Sequence, residues 1–170
     1  MVLNLPKKGL KVAHINVRSL RNKIDDISTL INCEKINVLA VSETHLDHSI
    51  TDMEVGISGY NIFRNDRNIF GGGVAIYIQN HIPAKVRVDL MVPGIEAHLA
   101  HCKQFIVGCV YRPPSSSVQY VDELCSVLLK VTDTAKEIFV LGDFNIDWLS
   151  NSCPLRKKHC TYLQFNSSGE

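Results

Sequence analysis

At 170 residues, 45% hydrophobic and 21% charged, the chain fits one domain able to bury a core without disulfide or metal staples, and disordered, collagen-like and fibrous classes are excluded. A formal charge of +1 gives no global attraction to a polyanion, so nucleic-acid contacts would have to come from local basic clusters. The six cysteines form no CxxC pair and several sit in apolar runs such as "VGCVY" and "DELCSVLL", which reads as small buried hydrophobes in a nuclear or cytoplasmic protein rather than a secreted one.

The amino terminus "MVLNLPKKGLKV" lacks the apolar stretch of a signal peptide, and no run approaches the roughly 18 residues of a membrane span. From Lys11 to Val17, "KVAHINV" reads as a short buried strand. Next, "SLRNKIDDISTLI" puts Leu20, Ile24, Ile27 and Ile31 on one helical face, with Ser19 as N-cap. The four-residue apolar run Val38 to Val41 predicts a strand buried on both faces. Residues 44–59 are polar and irregular, after which "YNIFR" and "GGGVAIYIQN" read as strands. Gly71, Gly72 and Gly73 open a strand rather than a helix, so they predict a tight hairpin or bulge entry. Two alternating segments follow, one through Val86, Val88 and Leu90 and one through Ile95, Ala97 and Leu99. "FIVGCVY", Phe105 to Tyr111, is another buried strand, stopped by "RPPSSS". A second helix carries Val121, Leu124, Leu128 and Val131, with Asp122 and Glu123 in its first turn, and leads into a strand from Ile138 to Leu141. Beyond Trp148 the pattern weakens. The expected organisation is an extension over 1–9, a domain over 10–150 and a frayed or degenerate tail over 151–170.

Two strand–helix–strand units result, and a helical crossover between neighbouring strands makes them parallel, with their carboxyl ends on one edge. Asn16 and Glu43 end the strands of the first unit; Tyr111 and Asp143, with Asn145 just beyond, end those of the second. If both edges face one cleft, two carboxylates, two amides and a phenol meet. Such a pair of carboxylates repels or recruits a hard cation, and Mg²⁺ takes one or two carboxylates plus waters and phosphate oxygens. An Asn amide can orient water, and a Tyr hydroxyl can donate to developing negative charge. Polar residues at strand ends are also common in ordinary turns, so spacing alone leaves a plain structural reading open.

The ordered set "HINVRSLRNK", "LAVSETHL", "GGGVAIYI", "GCVYRPP" and "VLGDFNIDW" resembles the endonuclease/exonuclease/phosphatase superfamily, specifically the apurinic-like endonuclease of LINE-type (non-LTR) retrotransposons. The resemblance implies a four-layered α/β sandwich of the DNase I-like kind, two packed mixed sheets flanked by helices. It implies catalytic roles for Asn16, Glu43, Tyr111, Asp143 and Asn145, with Glu43 and Asp143 holding Mg²⁺ (or Mn²⁺) and Asp143 and Asn145 positioning the attacking water. DNA is the implied partner; no membrane and no obligate protein partner are indicated. Arg18, Arg64, Arg67 and Arg112 are the candidate nucleic-acid contacts. Arg18 stands where some branches carry an acidic residue, so that role is vacant or Arg18 meets phosphate instead. Members of the superfamily finish with further strands and a Ser-Asp-His segment supplying an acid/base pair. None of the seven histidines here lies in such a segment, which predicts a carboxyl-truncated domain with impaired or lost hydrolysis.

Three other readings stay open. Within the fold, a phosphatase or phospholipid phosphodiesterase would share the metal and phosphate groups. A catalytically dead nucleic-acid-binding or interaction domain would use the basic clusters alone. Zinc at His98, His101 and Cys102, or at Cys153, His159 and Cys160, lacks the paired spacing of a structural site, and strand alternation sends His98 and His101 to opposite faces. Asp147 is expected to be structural.

Overall fold

In chain order the protein forms β1 (Val12–Asn16), α1 (Ile24–Cys33), β2 (Val38–Ser42), β3 (Tyr60–Asn65), β4 (Val74–Gln79), β5 (Ala84–Val86), β6 (Ala97–Cys102), β7 (Phe105–Tyr111), α2 (Val118–Thr132) and β8 (Glu137–Asp143). These elements come from a computed structural model, which describes residues 9–132 and 137–146. The expectations for the terminal extension and tail, for Asp147, and for Cys153, His159 and Cys160 therefore fall largely or wholly outside the described residues.

Hydrogen bonding gives two four-stranded sheets, ordered β1-β2-β4-β3 and β5-β6-β7-β8. Both are mixed: β1 and β2 are parallel, as are β7 and β8, while the other pairs are antiparallel. The layering follows from which apolar residues alternate to which face. On one side of the first sheet, Leu39, Val41, Ala75 and Tyr77 pack against Ile27 and Ile31 of α1. From the other side, Val38, Ala40, Val74, Ile76 and Ile78 meet Ala100, Val107, Cys109 and Tyr111 of the second sheet. The far side of that sheet, through Leu99, Ile106 and Val110, receives Leu124, Val127 and Val131 of α2. Helix, sheet, sheet and helix thus stack as a four-layered α/β sandwich. The runs that read as buried on both faces, β2 and β7, are buried at every position.

Three local expectations are corrected. Ser19 is not an N-cap: it has φ 82°, and its amide donates to the Glu43 carbonyl at 2.9 Å, while a 3₁₀ turn at Arg21–Lys23 starts the helix with no side-chain cap. Val88–Leu90 is a 3₁₀ turn rather than strand, because Val88 is 71% exposed and has no sheet face to join. The second helix begins at Val118, so Asp122 and Glu123 lie beyond its first turn. Among the described residues no helix is long and apolar enough to cross a membrane.

The parallel pairs sit at the same side of the sandwich, with β1 and β8 at the sheet edges and stacked across the interior. The carboxyl ends of all four strands therefore open onto one rim.

Candidate active site

Past Asn16 the chain turns sharply through Arg18 (φ 43°) and Ser19 (φ 82°). This turn continues the pairing of β1 beyond its end: Val17, Ser19 and Leu20 donate to the carbonyls of Ser42, Glu43 and Thr44 at 3.0, 2.9 and 2.9 Å. From the other side, Thr44 and His45 donate to the carbonyls of Gly73 and Gly72 at 3.2 and 3.0 Å. Glu43 (φ 54°) and His45 (φ 52°) adopt the left-handed region, which costs of order 1–3 kcal/mol per non-glycine residue and persists only when neighbours over-determine it. Those bonds on both flanks do so, and they aim the Glu43 carboxylate across the rim.

In the second unit Tyr111 and Asp143 face each other in register. Strands β7 and β8 close tightly there: a Cβ on Gly142 (φ 152°) would lie 1.8 Å from the Val110 carbonyl oxygen. After Asp143, Asn145 (φ 47°) folds back, its amide donating to Asp143 Oδ1 at 3.1 Å and its Nδ2 to the Arg112 carbonyl at 2.7 Å. Arg112 is 2% exposed; its Nη1 donates to the Asn145 carbonyl at 3.1 Å and its Nη2 to that of Ser116 at 2.6 Å.

The two units are joined by one side chain. Asn16 Nδ2 donates one proton to Glu43 Oε1 at 2.8 Å and the other to Asp143 Oδ2 at 3.0 Å, while its Oδ1 accepts the Arg18 amide at 3.3 Å. Residues 127 positions apart are thereby brought together. Tyr111 stands beside them: burial first, then the Glu43 carboxylate, and further Glu96 and Asp143, push its phenol above the ordinary value against the opposing pull of Arg67. A phenol so placed stays protonated at neutral pH and remains a hydrogen-bond donor.

Three partners went unread in the sequence. Glu96 accepts from Arg67 Nη1 at 2.8 Å and from the Gly73 amide at 2.6 Å, and its carbonyl accepts the Tyr111 amide at 2.8 Å. The hydroxyl of Tyr120 accepts from the Glu96 amide at 3.0 Å and donates to the Tyr111 carbonyl at 2.8 Å. His14 Nε2 and Ser42 Oγ lie 3.0 Å apart just behind Asn16 and Glu43. Burial holds the His14 imidazole below its usual value, opposed by Asp143. A tight turn at Lys103 and Gln104 fixes the register of β6 on β7, and extending that register by one pair sets Glu96 opposite Tyr111. That arithmetic was the available signal.

The candidate nucleic-acid contacts differ in placement. Arg18 is exposed at the rim. Arg67 lies with its Cζ 6.0 Å from the centre of the Tyr111 ring. Arg112 is buried against the backbone carbonyls of Asn145 and Ser116, so its guanidinium braces the Asn145 turn instead of meeting solvent. Arg64 is on the opposite face of the first sheet, paired with Asp66 at 2.8 Å and Asp52 at 3.2 Å and bonded to the carbonyls of Asp47 and Ile50, away from the Asn16 cluster. His98 and His101 diverge as alternation requires, His98 being buried between the sheets with neither ring nitrogen hydrogen-bonded. Among the described residues no group of three or more His, Cys, Asp or Glu side chains could by itself hold a metal. Glu43 and Asp143, however, accept from the same nitrogen, so their oxygens lie within about two hydrogen-bond lengths of each other. Two carboxylates on an open rim fit a hard cation that completes its shell with water and substrate oxygens. A hollow of about 700 Å³ lined by Asp52, Met53, Tyr60 and Ile62 contains none of these groups.

This architecture is the DNase I-like class of α/β sandwich. Residues 13–161 match the sequence profile of the Endonuclease/Exonuclease/phosphatase family, and the chain belongs to that family. No curated protein matches it by sequence. Among solved structures it is similar to an AP endonuclease from Archaeoglobus fulgidus (18% identity, TM-score 0.71, covering 92% of this chain and 71% of that one). It is similar to the 3' phosphatase NExo from Neisseria bound to a product DNA hairpin (17% identity, TM-score 0.71, 92% and 71%). It is also similar to the endonuclease domain of TRAS1, a telomere-specific non-LTR retrotransposon (15% identity, TM-score 0.68, 92% and 71%).

Proposed function

We propose that this chain is the DNA-nicking endonuclease module of a LINE-type (non-LTR) retroelement, hydrolysing a phosphodiester with Mg²⁺ (or Mn²⁺) held by Glu43 and Asp143. The observation that carries the reading is the Asn16 amide shared between those two carboxylates. A bound divalent ion polarises a phosphoryl oxygen and stabilises charge on the leaving oxygen. Glu43 and Asp143 supply the anionic ligands, and Asn16 keeps them convergent. Tyr111, protonated at neutral pH, donates to a non-bridging phosphate oxygen. Asp143 and Asn145 orient the attacking water, whose oxygen bonds to phosphorus as the bond to the 3' oxygen breaks, leaving a 3' hydroxyl and a 5' phosphate. Arg18 and Arg67 border the path of the strand. The compartment expected of such a module is nuclear or cytoplasmic.

The family's acid/base pair has no counterpart among the groups just described, and loss of a positioned base costs roughly 10²- to 10⁴-fold in rate. The 170 residues alone are therefore expected to bind DNA and nick feebly, with activity restored when a segment carrying a Ser-Asp-His sequence and its strands is joined to them. The test incubates both forms with supercoiled plasmid in Mg²⁺ or EDTA, alongside Glu43→Ala. Open-circle product with a polymerase-extendable 3' end, abolished by EDTA and by Glu43→Ala, supports the proposal. Release of inorganic phosphate from a 3'-phosphorylated oligonucleotide incubated in parallel, with the plasmid left closed, would instead assign a phosphatase, and vigorous nicking by the 170 residues alone would overturn the missing-base argument.

A further inference from the structure

The turn between β3 and β4 thrusts the largest exposed aromatic of the described chain into solvent. Phe70 is 89% exposed, with Ile69 beside it at 49%. Burying an aromatic side chain in water-free surroundings is favourable by itself, so a chain that holds one outward on a fixed support invites a partner for it.

The support is well defined. The Phe70 amide donates to Asn68 Oδ1 at 2.9 Å, and Asn68 and Gly71 form an antiparallel bridge. Arg67 Nε donates to the Gly71 carbonyl at 2.8 Å while its Nη1 grips Glu96, which also holds the Gly73 amide. Glycine is required at position 72 (φ 69°), where a Cβ would come within 2.3 Å of Glu96 Oε2 and 2.5 Å of Arg67 Cζ. The turn is thus anchored before any ligand arrives, which removes an ordering cost from binding.

Its location names the partner. The Gly72 carbonyl accepts the His45 amide two residues after Glu43, and Arg67 lies over Tyr111. Two residues on each side of that hydrogen bond span no more than about 7 Å apiece, so Phe70 lies within about 20 Å of Glu43, within reach of a duplex whose phosphodiester sits at Glu43 and Asp143. With a formal charge of only +1, electrostatic attraction to phosphates contributes little global affinity, and base stacking on an aromatic face is the chemistry that supplies the remainder.

We propose that Phe70, flanked by Ile69, is a wedge that stacks on or between bases of duplex DNA next to the phosphodiester held at the site. This rests on the nuclease reading above and adds a contact that selects for unstackable base steps, since pyrimidine–purine steps open most readily.

The test measures equilibrium binding of the full chain in EDTA, so that no cleavage is needed, to a short duplex with 2-aminopurine in a central TA step. Wild type is expected to bind with a rise in 2-aminopurine emission as the step unstacks. Phe70→Ala is expected to bind about 5- to 100-fold more weakly with no emission change and an unchanged salt slope, because no phosphate contact is lost. Phe70→Trp should retain both. Circular dichroism of each variant, unchanged for an exposed substitution, separates this from misfolding. Equal binding and emission by wild type and Phe70→Ala would overturn the wedge while leaving the nuclease reading intact. Absence of DNA binding by wild type would sink both, and a change of oligomeric state on Phe70→Ala with DNA binding unaltered would reassign the turn to a protein contact and overturn the proposal.

Discussion

In the first strand–helix–strand unit, β1, α1 and β2, the site side chains are aimed by backbone strain: Arg18, Ser19, Glu43 and His45 all hold positive φ without being glycine. The second unit, β7, α2 and β8, has Asn145 as its one non-glycine residue of that kind among the described positions. It relies instead on a glycine pressed against the facing strand and on a buried guanidinium. The difference follows from position in the sandwich. Strand β2 is interior and wholly buried, so hydrogen bonds from β1 and from the Gly72–Gly73 turn can clamp Glu43 from both sides. Strand β8 is an edge and only half-buried. With no strand on its outer flank among the described residues, its end is held from below by Arg112. One rim is therefore assembled from a strained half and a braced half.

Substitutions that remove one kind of support should separate the halves. The largest effect is expected at Gly142→Ala, where the new methyl would overlap the Val110 carbonyl. Pulling β8 off β7 should cost more than about 3 kcal/mol, seen as loss of the urea transition midpoint. Next, Arg112→Ala removes a buried guanidinium and its bonds to the carbonyls of Ser116 and Asn145 and should cost about 1.5–3 kcal/mol. Lysine should not rescue it, since one ammonium cannot reproduce the guanidinium fork.

Burial depresses an imidazole in each sheet, His14 in the first and His98 in the second, and the larger pH effect belongs to His98. His98, opposite Cys109 in the β6–β7 ladder, has its imidazole pushed down by burial to about 4. The unfolded chain takes up this proton near the ordinary 6.5, and the folded chain does so only near 4. Stability is thus fully present above the unfolded value and is lost as pH falls between the two. Between pH 7.5 and 5 wild type should lose about 2 kcal/mol more than His98→Leu, by paired urea titrations. The smallest effect is a gain: Arg18→Gly relieves a positive φ at an exposed residue and should raise stability by up to about 1 kcal/mol. A loss there would show that the first unit is not strained as described.

Much of this organisation was legible one residue at a time. The seven-residue apolar run of β7 coincides with its strand, because a strand covered on both faces leaves no polar position. Of the predicted helical face, Ile27 and Ile31 are buried and Ile24 partly so, as the 3.6-residue period requires, while Leu20 is buried but precedes the helix. Failures came where neighbours in space, not in sequence, decide. Ser19 looks like a cap, yet its amide is claimed by Glu43 across the turn. Alternation through Val86, Val88 and Leu90 suggests a strand, yet the chain leaves the sheet edge after Val86. Arg112 reads as a candidate nucleic-acid contact beside two prolines, and only the fold shows the carbonyls it serves.

What the sequence determined by itself is the set of strands and helices and the parallel sense of each crossover pair, since periodicity and crossover handedness are local properties of a chiral chain. The tertiary structure decided which face each sheet turns to the other, and hence that Asn16 reaches both Glu43 and Asp143. It also drew Glu96, Tyr120 and Arg67 around Tyr111. Hydrogen bonds between residues far apart along the chain leave no periodic trace in it; they exist only once two packed sheets have fixed where every strand ends.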